Sequence, residues 1–117
     1  MITCDTCLTR SRGLLNDEDA GAYRWSDEVL LVFLNASFDD FFARRPDLLV
    51  KPDGVNATEG EACFASLGGT VDFLPRKYAD AIAYGCAARA LEQDNSDTAN
   101  QQNAVSFFQR AMQETMK

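Results

Sequence analysis

Apolar residues recur at helical spacing in four stretches of the chain. From 3 to 15, Cys4, Cys7, Leu8, Ser11, Leu14 and Leu15 fall three and four residues apart, with Asp5 near the start and Arg10 and Arg12 toward the end. That spacing predicts a short amphipathic helix whose charges suit its dipole. The turn formers from Asn16 to Gly21 end it. Trp25-Ser26-Asp27-Glu28 then predicts a second helix over 26–45, since a Ser cap accepts a backbone N–H and two acids meet the positive end of the dipole. Pro46 stops it. Its apolar set, Val29 through Leu34 with Phe38, Phe41 and Phe42, is wider than one stripe and calls for a second partner beyond the neighbouring helix.

Residues 47–74 lose the helical period. Pro52-Asp53-Gly54, Gly60 and Gly68-Gly69 punctuate short apolar pieces, which predicts a long loop or β-hairpin arm. Pro75 opens a third helix over 75–92, lined with the small residues Ala79, Ala81, Ala83, Gly85, Ala87 and Ala88 that let a neighbour approach closely. A polar link from Asp94 to Thr98 precedes a fourth helix over 99–116, with Val105, Phe108, Ala111, Met112, Thr115 and Met116 as its apolar face. The expected fold is therefore mainly α, one small four-helix bundle-like domain over 1–117 with an arm at 47–74 between helices two and three.

Length and composition sharpen this picture. A chain of 117 residues, 46% hydrophobic and 25% charged, has material for one core and none of the marks of disorder. A net charge of −7 disfavours nucleic-acid binding by phosphate neutralisation. The lack of any His removes the usual general base, the Ser-His and Cys-His pairs and the commonest metal ligand, so the expected protein is not an enzyme. The longest apolar run, Val29 to Leu34, is too short to cross a bilayer, and Met1-Ile2-Thr3-Cys4-Asp5 lacks the features of a secretory signal, so no membrane association and a cytoplasmic origin are expected.

The motifs with chemical content are few. Cys4-Asp5-Thr6-Cys7 is a C-x-x-C with no second pair at matching spacing, and buried free thiols are its expected state, so neither a cofactor nor a metal is expected. Asp17 to Glu28 has acids near calcium-loop positions but Ala22 where the loop needs glycine. Asn35-Ala36-Ser37 and Asn56-Ala57-Thr58 match the glycosylation pattern but carry no weight without an export signal. Asp39 and Asp40 point 100° apart on a helix and read as a solvated face or interface charges. Trp25, Phe107 and Phe108 read as core or interface anchors.

Several pieces taken in order carry a resemblance. They are Thr9-Arg10-Ser11-Arg12-Gly13-Leu14-Leu15-Asn16-Asp17-Glu18, then Arg24-Trp25-Ser26-Asp27-Glu28-Val29-Leu30-Leu31, Arg45-Pro46-Asp47-Leu48, Leu74-Pro75-Arg76-Lys77-Tyr78-Ala79-Asp80-Ala81 and Arg89-Ala90-Leu91-Glu92-Gln93-Asp94. Together they resemble the head-to-tail connectors of tailed bacteriophages, also called adaptors or head completion proteins. The segment from Lys51 to Gly69 and the run Gln101-Gln102-Asn103 depart from that pattern.

The resemblance implies a structural virion protein of the neck, made in the host cytoplasm, which assembles on itself as a ring, typically of twelve, beneath the portal protein. Such a ring extends the channel through which genomic DNA passes without sequence-specific binding, and presents a surface to tail, neck or nozzle proteins. On this expectation Phe107, Phe108, Met112 and Met116 dock the portal, and Leu31, Phe38, Phe42, Phe64 and Phe73 make contacts between subunits. The rival expectations are a small acidic phage inhibitor or regulatory protein that binds a host protein, and a redox or metal protein using the four Cys.

Overall fold

The computed structural model describes residues 1–19, 21–93 and 98–117, so the polar link expected at 94–98 lies almost wholly outside the described residues. The elements run β1 (Ile2–Thr3), α1 (Cys4–Leu15), α2 (Asp27–Arg44), β2 (Thr70–Val71), α3 (Ala79–Gln93) and α4 (Thr98–Thr115), with single 3-10 turns at Pro46–Leu49, Glu59–Ala62 and Arg76–Tyr78. The chain is mainly α, a small helical bundle-like domain.

Local chemistry sets the boundaries. The Thr3 hydroxyl caps α1 by accepting from Thr6 N–H, and Asn16 closes it in the left-handed conformation at φ 55°. Ser26 Oγ accepts from Val29 N–H at 3.2 Å, the expected cap of α2. The third helix begins later than Pro75 alone suggests. Pro75 is extended, and a 3-10 turn intervenes before Ala79.

α3 is the central element and packs against α1, α2 and α4. Its small residues make this possible: Ala79, Ala81, Ala83, Gly85, Ala87, Ala88 and Ala90 are all buried. The tightest approach is to α2, where a Cβ on Gly85 would stand 2.1 Å from Ser37 Oγ. That hydroxyl donates to the Ile82 carbonyl at 2.9 Å.

Residues 47–74 do not project as an arm, because their apolar side chains are drawn into the protomer's own core. Phe64, Val71 and Leu74 are buried. Phe64 meets Phe38 edge-on at 4.9 Å, and Phe73 stacks on Phe42 at 6.1 Å. The Asn35 side chain on α2 holds the Phe64 backbone from both sides, donating to its carbonyl and accepting from its N–H, each at 2.9 Å. The strand pairing also differs from a hairpin within the arm. β2 runs antiparallel to β1 at the amino terminus, pairing Val71 with Ile2 and Thr70 with Thr3. Within the segment the extended contact is a single bridge between Val50 and Asn56, around a turn in which Gly54 takes φ 84°. The second partner that the apolar girth of α2 calls for is therefore this segment of the same chain.

Candidate interaction surfaces

Three groups of conspicuous residues turn out to be scaffolding. Cys4, Cys7 and Cys86 are buried where α1 meets α3, and Cys63 is half-buried. Burial pushes the Cys4 thiol up to about 11, and the Cys7 and Cys86 thiols up to about 12, so all three are held neutral. Such thiols are poor nucleophiles and poor ligands. Among the described residues, no three His, Cys, Asp or Glu side chains gather as a ligand set. Of the acids in the calcium-like stretch, Asp17 is used internally, buried, paired with Arg12 at 2.9 Å and accepting from the Arg24 and Trp25 backbone N–H groups, while Asp19 and Glu28 are exposed. Arg12, also buried, reaches Asp27 on α2 and lies 3.5 Å from the Tyr23 ring centroid. This network clamps the end of α1 to the start of α2.

Asp40 pairs with Arg89 of α3 at 2.6 Å, while Asp39 is exposed. Arg44 and Arg45 do more than complement the dipole of α2. Arg44 donates to Thr115 Oγ1, and Arg45 to the Thr115 carbonyl at 2.9 Å, so together they fasten the carboxyl end of α4 to the end of α2. Tyr78 OH, donating to the Lys117 carbonyl at 3.3 Å, adds a third tie. Glu114 is buried between Arg110 and Lys117, whose hydrogen bonds hold its carboxyl below the usual range.

The residues expected between subunits divide in two. Phe38, Phe42 and Phe64 lie in the protomer core, so they are not available to a neighbour, and the expectation is corrected for these three. Leu31 and Phe73 are half-buried and pack against the core, with an edge still accessible. The apolar surface of α2 that does face outward belongs to Val29 and Val32, 42% and 64% exposed.

The four α4 residues expected to dock the portal do not form one face. Phe107 turns toward α3, its ring 5.8 Å from that of Tyr84. Phe108, Met112 and Met116 lie together at four-residue intervals, with Met112 and Met116 well exposed. Val105 joins them. The helix thus has two faces where the sequence suggests one: Ala104, Ala111 and Thr115 are buried, and the stripe of Val105, Phe108, Met112 and Met116 runs beside them. The signal for this was in the sequence, since a helix that packs its alanines inward has its larger apolar residues left for something else.

Two shallow grooves flank the 47–74 segment. One, of about 530 Å³, is lined by Lys51, Pro52, Gly60, Thr70 and Phe73 among others. The other, of about 510 Å³, has Phe42, Ala43, Leu49 and Ala62 in its floor and Asp39 and Glu59 at its rim. No helix among the described residues is long and apolar enough to cross a membrane. What the fold defines is a small helical protein in which several conspicuous polar groups serve its own scaffold and whose terminal helix offers an apolar face. Compared with known proteins, the chain matches no family model, no curated protein and no solved structure.

Proposed function

We propose that this chain is a non-enzymatic virion protein of a tailed phage, an adaptor that forms a ring of about twelve copies between the portal and the tail or neck and extends the DNA channel. The observation that carries the reading is the stripe on the terminal helix in which Val105, Met112 and Met116 are exposed and Phe108 is half-buried, apolar surface that the protomer leaves uncovered. In this reading the stripe docks the portal. The ordered resemblance along the sequence supplies the class of assembly, and the virion neck is its location.

Seven of the eighteen acids are engaged within the chain, which removes them from the array that an acidic mimic of nucleic acid would present. Asp17, Asp27, Asp40, Asp47, Asp80, Glu61 and Glu114 are each paired with a cation of the same chain. A phosphate mimic needs its acids unpaired and arrayed on one face. The test is to mix the purified protein with the portal encoded beside it and image the particles by electron microscopy. A second ring stacked on the portal is expected. A bare portal, with both components folded, overturns the reading.

A further inference from the structure

The carboxyl end of α4 runs against the charge of the rest of the chain. The protein carries −7, yet residues 98–117 hold Arg110 and Lys117 against the single acid Glu114. Glu114 is buried while Arg110 and Lys117 are exposed, so one carboxylate turned inward serves two cations turned outward. Arg44 and Arg45 join them from the end of α2 through Thr115. Lys77 joins from the start of α3, its ammonium 5.1 Å from the ring of Tyr78, whose hydroxyl reaches the Lys117 carbonyl. Arg45 is engaged by Asp47. Arg44 and Lys77 are exposed, and among the described residues no acid pairs with either. In a chain with eighteen acids to eleven bases, cations left without an acid mark a surface suited to an anionic group from outside.

The apolar stripe runs into this end. Val105, Phe108, Met112 and Met116 follow one another at steps of three, four and four residues, a ridge about 17 Å long. Met116 stands between Lys117 and Thr115, the residue on which Arg44 and Arg45 converge. Apart from Arg110, Lys117 and the stripe itself, the exposed residues from Gln101 onward are Gln, Asn and Ser. The outer surface of α4 is therefore apolar along its length, cationic at its foot, and bare of carboxylates.

A ridge of large apolar side chains on one helix takes another helix beside it, and cations at its foot take carboxylates. We propose that the partner seated on the α4 stripe is an acidic amphipathic helix, with apolar side chains along Val105, Phe108, Met112 and Met116 and carboxylates on Arg44 and Lys117. This rests on the reading that the stripe docks a partner, and it adds the chemistry which that partner must carry. The remainder of the chain reinforces the choice. Its excess of acids repels an acidic helix from most of the surface, while this end attracts it, so that charge sets where and how the partner lands. A phosphate backbone would use the cations but leave Met112 and Met116 in water, whereas Met and Arg together are the side chains of a protein interface.

Fluorescence anisotropy with two labelled peptides of about 20 residues, long enough to form helix in isolation, tests this. One carries leucines along one face and glutamates beside them, and in the other the glutamates are glutamines. The glutamate peptide should bind despite the net charge of the protein, about tenfold more tightly than the glutamine peptide, and should weaken as salt rises. Met112→Glu, at a position already exposed, and Arg44→Glu, at a cation that pairs with no acid, should each weaken it by about tenfold while leaving the helical circular dichroism unchanged. Val32→Glu on the exposed side of α2 should leave binding intact.

No binding of the glutamate peptide, equal binding of the glutamine peptide, unchanged binding in Arg44→Glu, or tighter binding of a DNA duplex overturns the proposal, and the electron-microscopy test of portal docking still stands on its own. Sedimentation in which the wild-type protein alone associates and Arg44→Glu does not overturns it as well, since a second copy then holds the face. A ring on the portal that Met112→Glu abolishes and Arg44→Glu leaves intact upholds docking by the stripe and overturns the acidic partner.

Discussion

Gly85→Ala isolates the feature on which the bundle turns. Alanine is the better helix former by about 1 kcal/mol, so propensity alone predicts that this substitution in the interior of α3 stabilises the protein. The structure predicts the reverse. The new methyl would stand 2.1 Å from Ser37 Oγ and 3.1 Å from Ser37 Cβ, both inside van der Waals contact. Ser37 can relieve the first clash only by turning its hydroxyl away from the Ile82 carbonyl, which leaves a buried hydroxyl unpaired at a cost of about 1–3 kcal/mol. The second clash remains whatever the rotamer, and α2 must back away from α3; overpacking of this kind costs about 1–3 kcal/mol.

Setting these against the propensity gain gives a net loss of about 1–5 kcal/mol, or roughly 4–20 °C in Tm for a domain of this size. Thermal and urea unfolding followed by circular dichroism measure it. The cycle with Ser37→Ala is the sharper test, because that change removes the atom 2.1 Å away and leaves only the Cβ contact. The double variant should recover about 1–2 kcal/mol relative to the sum of the single effects. Strict additivity, or a Tm for Gly85→Ala above that of the wild-type protein, refutes the claim that the glycine is there for close approach.

Other outcomes follow from the same contacts. Asn35→Leu removes both hydrogen bonds to the Phe64 backbone and should cost about 2–4 kcal/mol, with the 47–74 segment becoming the first site of proteolytic cleavage. Arg12→Met leaves Asp17 buried without its partner and should cost about 3–5 kcal/mol by urea unfolding, far more than Arg10→Met, whose pair with Asp80 is substantially exposed. The raised thiols set an alkaline limit: in the folded state Cys7 and Cys86 stay protonated up to about 12, whereas in the unfolded chain they ionise near 9, so their contribution is complete below pH 9 and lost as pH rises toward 12. Stability should fall by about 1.4 kcal/mol per pH unit for each thiol in that window, and Cys86→Ala should show a shallower slope in pH-dependent urea titrations.

Helix positions and the role of the small residues in α3 were legible because each has a local cause: a cap at Ser26, a stop at Pro46, an alanine-rich face beside Gly85. The destination of residues 47–74 was not. Its glycines and prolines announce irregular backbone, but nothing in their spacing says that Phe64 will close over Phe38 or that Thr70 and Val71 will pair with Ile2 and Thr3. Those are contacts between distant parts of the chain, which periodicity does not encode. The same gap puts Phe38 and Phe42 of α2 against a neighbour, since the girth of α2 shows that a partner is needed and not that the chain's own Phe64 and Phe73 supply it. On α4 the error ran the other way. One apolar face was read where two exist, because Ala104 and Ala111 satisfy the packing against α3 and free the larger side chains beside them.

That exchange of faces bears on how a ring could form. A closed ring needs two different surfaces on each protomer that fit one another, while a two-fold pair uses one surface twice and ends at the dimer. With the 47–74 segment folded onto its own core, the exposed large apolar side chains are Val29 and Val32 on α2, Val50 and Val55 at the tip of the segment, Met1 and Tyr23, and Val105, Met112 and Met116 of the stripe on α4. The first two groups belong to a part of the chain that carries the excess negative charge, so contacts through them between free copies are opposed. In the proposed reading the α4 stripe faces the portal and is not one of those two surfaces. In the proposed reading, assembly then requires something that holds protomers side by side at high local concentration, and a portal offering repeated sites would do so. Ring formation should therefore depend on the portal, and sedimentation of the purified chain alone at low salt, where the repulsion between copies is unscreened, should show no ring.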